Sequence, residues 1–134
     1  MAQEYLYESV GTTITNYGDG RLLLLFEQPA KDIIQVNMQA IWVKETIADL
    51  HAKYLKQKFF LLIDLEKLMT IQLDAAAIAT YAAIIAQSFF SKIAFVGDAV
   101  NYGRVTPLII NPKLGKKRMR FFFRMDEAKV WLKW

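Results

Sequence analysis

Two short apolar runs joined by a long uncharged segment are the strongest feature in the pattern of hydrophobic and polar positions. Residues 59–64 are Phe-Phe-Leu-Leu-Ile-Asp, and residues 92–97 are Lys-Ile-Ala-Phe-Val-Gly. Between them, residues 75–91 carry no charge, and Asp74 is a good N-cap for a helix over this segment. Two buried strands joined by a helix are typical of a parallel pair with a right-handed crossover.

The pattern before this unit predicts antiparallel strands. Residues 12–17 and residues 21–26 are rich in β-branched or apolar side chains, and they flank Gly18-Asp19-Gly20. This arrangement is typical of a β-hairpin. A further strand is expected over residues 5–9.

An amphipathic helix is predicted between the hairpin and the central unit. Asp32 is a plausible N-cap, and apolar positions recur every three or four residues over residues 36–56. Met38 and Trp42 lie beside this apolar stripe. They either widen the contact with the core or form an exposed patch for a partner.

The pattern after residue 97 predicts a short helix, an edge strand and a terminal helix. Thr106-Pro107 is a helix-start signal, and Asn111-Pro112 would end that helix after little more than one turn. Residues 119–124 alternate apolar side chains with a second set formed by arginines and Phe122, a pattern that suits an edge strand. Asp126 is the expected cap of the last helix.

This order of elements predicts a single α/β domain over residues 1–134. Its mixed β-sheet begins as an antiparallel hairpin, continues with parallel strands and carries packed helices. The chain has 134 residues, enough for a sizeable core, and 54% of them are hydrophobic, which argues against disorder. Residues 73–90 approach the length of a membrane span, but their alanines and polar side chains favour a buried helix. The first residues do not form a signal peptide, so we expect a cytoplasmic protein.

The residue types that carry most catalysis and metal binding are scarce. The chain has no cysteine and one histidine, His51, so disulfides and thiol catalysis are excluded and a His-based metal site is hard to assemble. No nucleophile–base pair is visible either. We therefore expect a protein that is not an enzyme and that has no metal or other cofactor.

The charge is unevenly distributed along the chain. Residues 1–91 contain seven Lys/Arg and ten Asp/Glu, a net charge of −3, whereas residues 92–134 contain ten Lys/Arg and three Asp/Glu, a net charge of +7. This asymmetry favours an anionic partner for the basic part, or self-association between the two parts.

Three stretches resemble the STAS-like family, whose best-known soluble members are anti-sigma-factor antagonists of the SpoIIAA type. Leu62-Ile63-Asp64-Leu65 is similar to the family's strand that ends in an Asp-Leu pair, and residues 92–97 are similar to its next parallel strand. Arg120-Phe121-Phe122, followed by residues 127–132, is similar to its closing strand and helix. The chain looks most like the small stand-alone STAS-like proteins, which share a fold with the CRAL-TRIO lipid-binding domain.

One departure from the family limits what the resemblance implies. In the anti-sigma-factor antagonists the central helix opens with Asp-Ser-Ser-Gly, and a serine there is phosphorylated by the partner kinase. The matching residues here are Asp74-Ala75-Ala76-Ala77-Ile78, which contain no hydroxyl. The resemblance therefore implies the fold and a binding role, but not the phosphorylation switch.

Polar side chains follow the two predicted parallel strands at their carboxyl ends, where open α/β sheets tend to bind ligands. They are Asp64, Asp98, Asn101, Tyr102 and Arg104. The two carboxylates could bind a metal or act as acid and base. The alternative, which we favour, is that Asp64 caps a turn and Asp98 satisfies loop amides.

A basic patch surrounds the predicted last strand and consists of Lys113, Lys116, Lys117, Arg118, Arg120 and Arg124. Phe122 among these arginines could stack on a nucleic-acid base, or the patch could meet an anionic lipid headgroup. A single aromatic residue on that face and the lack of a recognised motif argue against nucleic acid. A solvated sheet edge is the simpler interpretation.

The central helix is apolar on every side, so both its sheet-facing surface and its outer surface need a cover. One apolar stripe is enough to pack on the sheet, and we expect a second copy of the chain to cover the outer surface as a homodimer. The interface candidates are Met38, Trp42, Ala76, Ala79, Ala83 and Ile84. Alternatively, another helix of the same chain covers this surface.

These observations lead to two functional hypotheses. The first is a non-catalytic STAS-like binding or regulatory domain that acts through protein–protein interaction with an unidentified partner. The second is a domain of the same fold that binds a small apolar ligand or a lipid between the sheet and the helices.

Overall fold

Three antiparallel strands open the fold. The computed structural model describes residues 2–68, 73–109 and 118–134. Strand β1 (Gln3–Tyr7) pairs with β2 (Thr12–Asn16), which pairs with β3 (Arg21–Phe26). Gly18 and Gly20 both adopt positive φ in the connection between β2 and β3, a conformation that favours glycine. The predicted hairpin is confirmed, and the additional strand begins two residues earlier than expected.

Three crossover helices then add three parallel strands. Helix α1 (Ile33–Lys53) leads to β4 (Phe59–Asp64), α2 (Ala75–Ile85) leads to β5 (Phe90–Val96), and α3 (Ala99–Ile109) precedes β6 (Met119–Phe122). Each new strand pairs in parallel with the previous one, so the sheet order follows the chain order from β1 to β6. Helix α4 (Met125–Leu132) ends the chain. The predicted α/β class, with a mixed sheet and packed helices, is confirmed.

Each face of the sheet has its own hydrophobic core. The larger core lies under α1, α2 and α3 and includes Leu61 and Ile93 from the central strands. The smaller core lies under α4 and includes Leu62 and Ala94, the next residues along the same strands. This alternation follows from the two-residue period of a β-strand. Helix α4 packs on β4, β5 and β6.

Two of the three predicted aspartate N-caps are present, and the third is wrong because Asp126 lies in the first turn of α4, whose N-cap is Arg124. The Asp32 carboxylate accepts the backbone N–H of Gln35 at 2.8 Å, and the Asp74 carboxylate accepts the N–H of Ala77 at 2.9 Å. Helix α1 nevertheless begins at Ile33 and ends at Lys53, three residues earlier at each end than predicted. Within the described residues, none of the helices combines the length and the apolar character needed to cross a bilayer.

The central helix is shorter than its uncharged sequence predicts. Helix α2 ends at Ile85 rather than at residue 91, and β5 already begins at Phe90. The guanidinium of Arg118 donates to the carbonyl oxygens of Ile85, Gln87 and Phe90, at 3.3, 3.2 and 2.8 Å. A residue from the far side of β5 therefore satisfies the carbonyls at the helix end, an interaction that the local sequence does not reveal.

The region predicted as a polar loop and a short helix is one longer helix. Helix α3 begins at Ala99 instead of Thr106, and Pro107 lies inside it. Its start is set by Asp98, whose carbonyl oxygen accepts the N–H of Tyr102 at 3.0 Å. The expected stop at Asn111-Pro112 lies outside the described residues.

Candidate functional site

Two of the predicted site residues form a reciprocal cap at the start of α3. The N–H of Asn101 donates to the Asp98 carboxylate at 2.8 Å, and the N–H of Asp98 donates to the Asn101 side-chain oxygen at 2.9 Å. This is the geometry of a capping box, with asparagine in the third helical position. The favoured interpretation of Asp98, that it satisfies backbone amides, agrees with these contacts.

Asn101 also joins α3 to the segment that follows β4. Its side chain is 1% exposed, and its amide nitrogen donates to the carbonyl oxygen of Leu68 at 3.0 Å. Both ends of the amide are thus engaged with backbone groups. Asn101 is a buried structural connector, and its side chain does not line an open site.

Asp64 is engaged in a turn at the end of β4. Its carboxylate accepts the N–H of Glu66 at 2.9 Å, as the favoured turn-capping interpretation predicts. Burial raises the pKa of Glu66, and the neighbouring negative charge of Asp64 raises it further. Glu66 was not among the predicted site residues. Its position two residues after Asp64 is a signal in the sequence, because two carboxylates this close in the chain repel each other.

Tyr102 and Arg104 point to different surroundings. The ring of Tyr102 packs edge-on against Phe121, with centroids 5.1 Å apart, and lies 6.3 Å from the ring of Phe123. Arg104 is half-buried, and its Nη1 has no hydrogen-bond partner within the described part of the chain. No hydrogen bond or ion pair among the described residues joins either side chain to Asp64 or Asp98.

At the carboxyl end of the sheet, Asp64, Asp98 and Asn101 make local structural contacts, beside an open depression lined by Glu66, Gly97, Asp98, Ala99 and Phe123. Among residues 2–68, 73–109 and 118–134, no three His, Asp or Glu side chains form a group that could hold a metal ion.

His51 lies at the end of α1, with its ring stacked on Phe89 at 4.1 Å, and its Nδ1 is buried without a partner in these ranges.

The residues of the predicted basic patch do not share one environment. Lys113, Lys116 and Lys117 lie outside the described residues. Arg118 is half-buried and donates to the carbonyls at the end of α2. Its assignment to a solvated face is wrong, because β6 runs beside the turn that connects α2 to β5.

The remaining arginines are exposed, but the aromatic residue between them is not. Arg120 lies over the ring of Phe122 at 5.2 Å, and Arg124 pairs with Asp126 at 3.0 Å. Phe122 is buried under α4, where its ring lies 5.7 Å from that of Trp131. The Phe122 ring is therefore covered by α4 and by Arg120. A nucleic-acid base cannot stack on Phe122 in this conformation. Among the strands of the described residues β6 lies at the edge of the sheet, as predicted.

The predicted interface residues are only partly exposed. Ile84 is 4% exposed and belongs to the larger core, so its assignment to a subunit interface is wrong. The reason is that α2 buries Ile84 beside Ile85 instead of presenting it outward. Trp42 is half-buried and stacks on Tyr7 of β1 at 5.5 Å. Met38 and the alanines at 76, 79 and 83 are exposed.

Large apolar side chains on α1 extend this exposed surface. Ile34, Met38 and Ile41 are 72, 53 and 49% exposed, and their spacing of four and three residues places them on one face of the helix. Helix α1 lies beside α2, with the Asn37 amide donating to the Asp74 carboxylate at 3.1 Å. We call Ile34, Met38, Ile41, Ala76, Ala79 and Ala83 the outer helix face. Ile34 and Ile41 were missed, although residues 33–43 contain no charge.

A small cavity lies between the sheet and the three crossover helices. Its volume is about 40 Å³, and it is lined mostly by apolar side chains such as Leu24, Ile63 and Val105. Gln39 and Tyr81 are its polar lining residues. The Gln39 amide donates to the Thr12 hydroxyl at 2.7 Å, and burial raises the pKa of the Tyr81 phenol far above its ordinary value. The phenol therefore stays protonated.

Comparison with protein-family models finds no match to this chain, and no curated protein matches it significantly. The STAS-like resemblance therefore remains a prediction.

Proposed function

We propose that this chain is a non-catalytic, STAS-like binding or regulatory domain that acts through protein–protein interaction. The observation that supports this function is the outer helix face. Soluble domains rarely expose several large apolar side chains side by side unless the surface meets a partner. Asp64, Asp98 and Asn101, at the carboxyl end of the sheet, are engaged in a turn and a helix cap, which supports a structural role for these three residues.

We further propose that the outer helix face joins two copies of the chain as a homodimer. The alanines of α2 are small, so a second helix can approach closely, and Ile34, Met38 and Ile41 supply the apolar area beside them. The lack of charge over residues 33–43 and 75–91 means that self-association places no like charges from these segments against each other.

Sedimentation equilibrium at micromolar concentration tests this dimer. We expect twice the chain mass of 15.5 kDa for the native chain. Met38→Glu and Ala83→Glu should each give a monomer, because an unpaired carboxylate would be buried in the interface. Val130→Glu is the matched control, since Val130 is 78% exposed on α4, on the opposite side of the sheet. A native monomer, or a dimer that survives both outer-face substitutions, would contradict the proposal.

The cavity supports a second candidate function, the binding of a small apolar ligand. A volume of about 40 Å³ suits only a few heavy atoms, so a lipid chain would require α2 or α3 to move. Native mass spectrometry of the freshly purified chain tests this function. A retained apolar molecule that is lost on substituting Val105→Trp, a change that fills the cavity, would favour it over the first proposal.

A further inference from the structure

Strand β1 has a free edge. It pairs with β2, and in the part of the chain that the structure describes no strand lies on its other side. The N–H of Tyr17 donates to the Arg21 carbonyl, and that of Glu27 donates to the Gly11 carbonyl, so the odd residues of β2 bond with β3. The even residues of β2 therefore bond with β1.

The register of β1 then fixes which of its backbone groups are open. Tyr5 lies opposite Ile14, and Tyr7 lies opposite Thr12, so these tyrosines direct their N–H and C=O groups toward β2. Because direction alternates along an antiparallel strand, Glu4 and Leu6 direct theirs toward the free edge. An extended polypeptide is the partner that satisfies such a row of donors and acceptors.

The free edge of β1 carries few of the features that protect edge strands, since Glu4 is its single charged residue. The strand is Gln-Glu-Tyr-Leu-Tyr, without proline or lysine, and its pairing with β2 runs without a bulge. The opposite edge differs, because β6 has four residues and carries the exposed Arg120. Each edge strand thus carries one charged residue, and β1, the longer of the two, is the edge that favours strand addition.

Apolar side chains flank the open edge on both faces of the sheet. On the helix side, Tyr7 stacks on Trp42, and Met38 lies one turn before Trp42 on α1. On the other side, Leu6 is 51% exposed. A strand added to β1 would place alternate side chains beside Trp42 and beside Leu6, so apolar residues in both sets would be stabilised.

The charge around this edge specifies the partner further. Glu4 lies within the strand and Glu8 follows it, and there is no lysine or arginine before Arg21. On α1, Glu45 and Asp49 follow Trp42 by three and seven residues and are exposed. A second copy would bring the same acidic edge, whereas a segment rich in lysine or arginine is complementary.

We propose that β1 binds an extended segment of a partner protein, with apolar residues interspersed with basic ones, by strand addition at its free edge. This surface shares Met38 with the outer helix face but includes none of the alanines of α2. The two proposals therefore fail independently when Ala83→Glu tests the dimer and Leu6→Pro tests strand addition.

Amide hydrogen exchange of the full ¹⁵N-labelled chain tests this inference. The probe is a synthetic nine-residue peptide in which pairs of valines alternate with pairs of lysines, so that valines lie on both faces of the added strand. At saturation, exchange at Glu4 and Leu6 should slow by about tenfold, since a backbone hydrogen bond contributes on the order of 1 kcal/mol. Exchange at Tyr5 should change little, because its N–H already bonds with β2. A peptide with glutamate in place of lysine should have no effect.

Variants at Leu6 separate edge pairing from other binding. Leu6→Pro removes an outward N–H that β2 does not use and should abolish the protection at Glu4, whereas Leu6→Thr keeps the N–H and should retain most of it. Circular dichroism checks that both variants fold. If millimolar peptide leaves Glu4 and Leu6 unprotected in the native chain, the proposal is overturned. Protection that arises from raising the protein concentration alone would also overturn it, since the occupant would be a second copy.

Discussion

The side-chain amide of Asn101 occupies the space that a side chain on Gly97 would need. A Cβ on Gly97 would lie 2.5 Å from the Asn101 oxygen and 2.8 Å from its Cβ. Asn101 cannot move away easily, because it caps α3 and donates to the carbonyl of Leu68. The end of β5 and the start of α3 therefore form one tightly packed unit.

We predict that Gly97→Ala destabilises the chain by about 1–3 kcal/mol, the usual cost of forcing an extra methyl group into a packed site. Gly103→Ala is the matched control, because nothing lies within 4 Å of its missing Cβ and it is inside α3. That change should stabilise by about 0.5–1 kcal/mol, since alanine favours helices over glycine. Urea denaturation measures both, and equal effects would contradict the packing described here.

Arg118 should contribute to stability, in contrast to its neighbour on β6. Arg118→Ala removes the guanidinium that donates to the carbonyls of Ile85 at the end of α2, of Gln87 in the connection and of Phe90 at the start of β5, and we expect a loss of about 2 kcal/mol. Arg120→Ala is the control. Arg120 is exposed, so the change should stay within about 0.5 kcal/mol. Thermal denaturation of both variants would contradict this prediction if their midpoints were the same.

The ionisation of Glu66 should oppose folding as the pH rises. Burial, and then Asp64, raise the pKa of Glu66 above its ordinary value of 4.5, so the folded chain holds this proton more tightly than the unfolded chain. Glu66→Gln should therefore be more stable than the native chain at neutral pH, and the difference should vanish below pH 4.5. Urea titrations at several pH values measure this difference.

A second variant separates the two causes of that shift. Asp64→Asn removes the neighbouring charge but leaves the burial, so it should lower the pKa of Glu66 part of the way toward its ordinary value. Carboxyl-carbon NMR follows the titration directly. An unchanged pKa of Glu66 in this variant would show that Asp64 has no influence on it.

The start of α2 should not be phosphorylated. Ala75 and Ala76 stand where the anti-sigma-factor antagonists have serines, and the nearby Thr80 hydroxyl donates to the Ala76 carbonyl at 3.0 Å. After incubation with a kinase of the type that acts on those antagonists, and with ATP, intact mass should show no added phosphate. Ala76→Ser tests whether restoring the hydroxyl is sufficient, and phosphate on the native peptide spanning residues 71–81 would contradict the prediction.

The sequence predicted the elements whose signals are local. Asp32 and Asp74 cap their helices as expected, and the apolar runs of β4 and β5 are buried strands. The end of α2 was not predictable in this way, because the group that bonds to its carbonyls, Arg118, is more than thirty residues away. Long-range contacts of this kind leave no pattern in a single sequence.

The start of α3 was predicted wrongly for a different reason. Thr106-Pro107 is a strong start signal, whereas a capping box with asparagine in place of glutamate at Asn101 is a weak one. The contacts of the candidate site residues could not be predicted either, because residue type does not show whether backbone amides already donate to a carboxylate such as that of Asp98. The outer helix face was predicted in part, because its alanines were visible, but the direction of Ile84 depends on how α2 is oriented on the sheet.

The agreement between sheet order and chain order has a kinetic consequence. Every strand pairs with its immediate predecessor, so no pairing has to wait for a distant part of the chain, and the entropy of closing each loop stays modest. The sheet can grow strand by strand in the direction of synthesis, starting from the β2–β3 hairpin. Strand pairing without a slow step is the expected behaviour. Stopped-flow refolding would show it as a main fast phase, beside the slow phase of the three X–Pro bonds that isomerise in the unfolded chain.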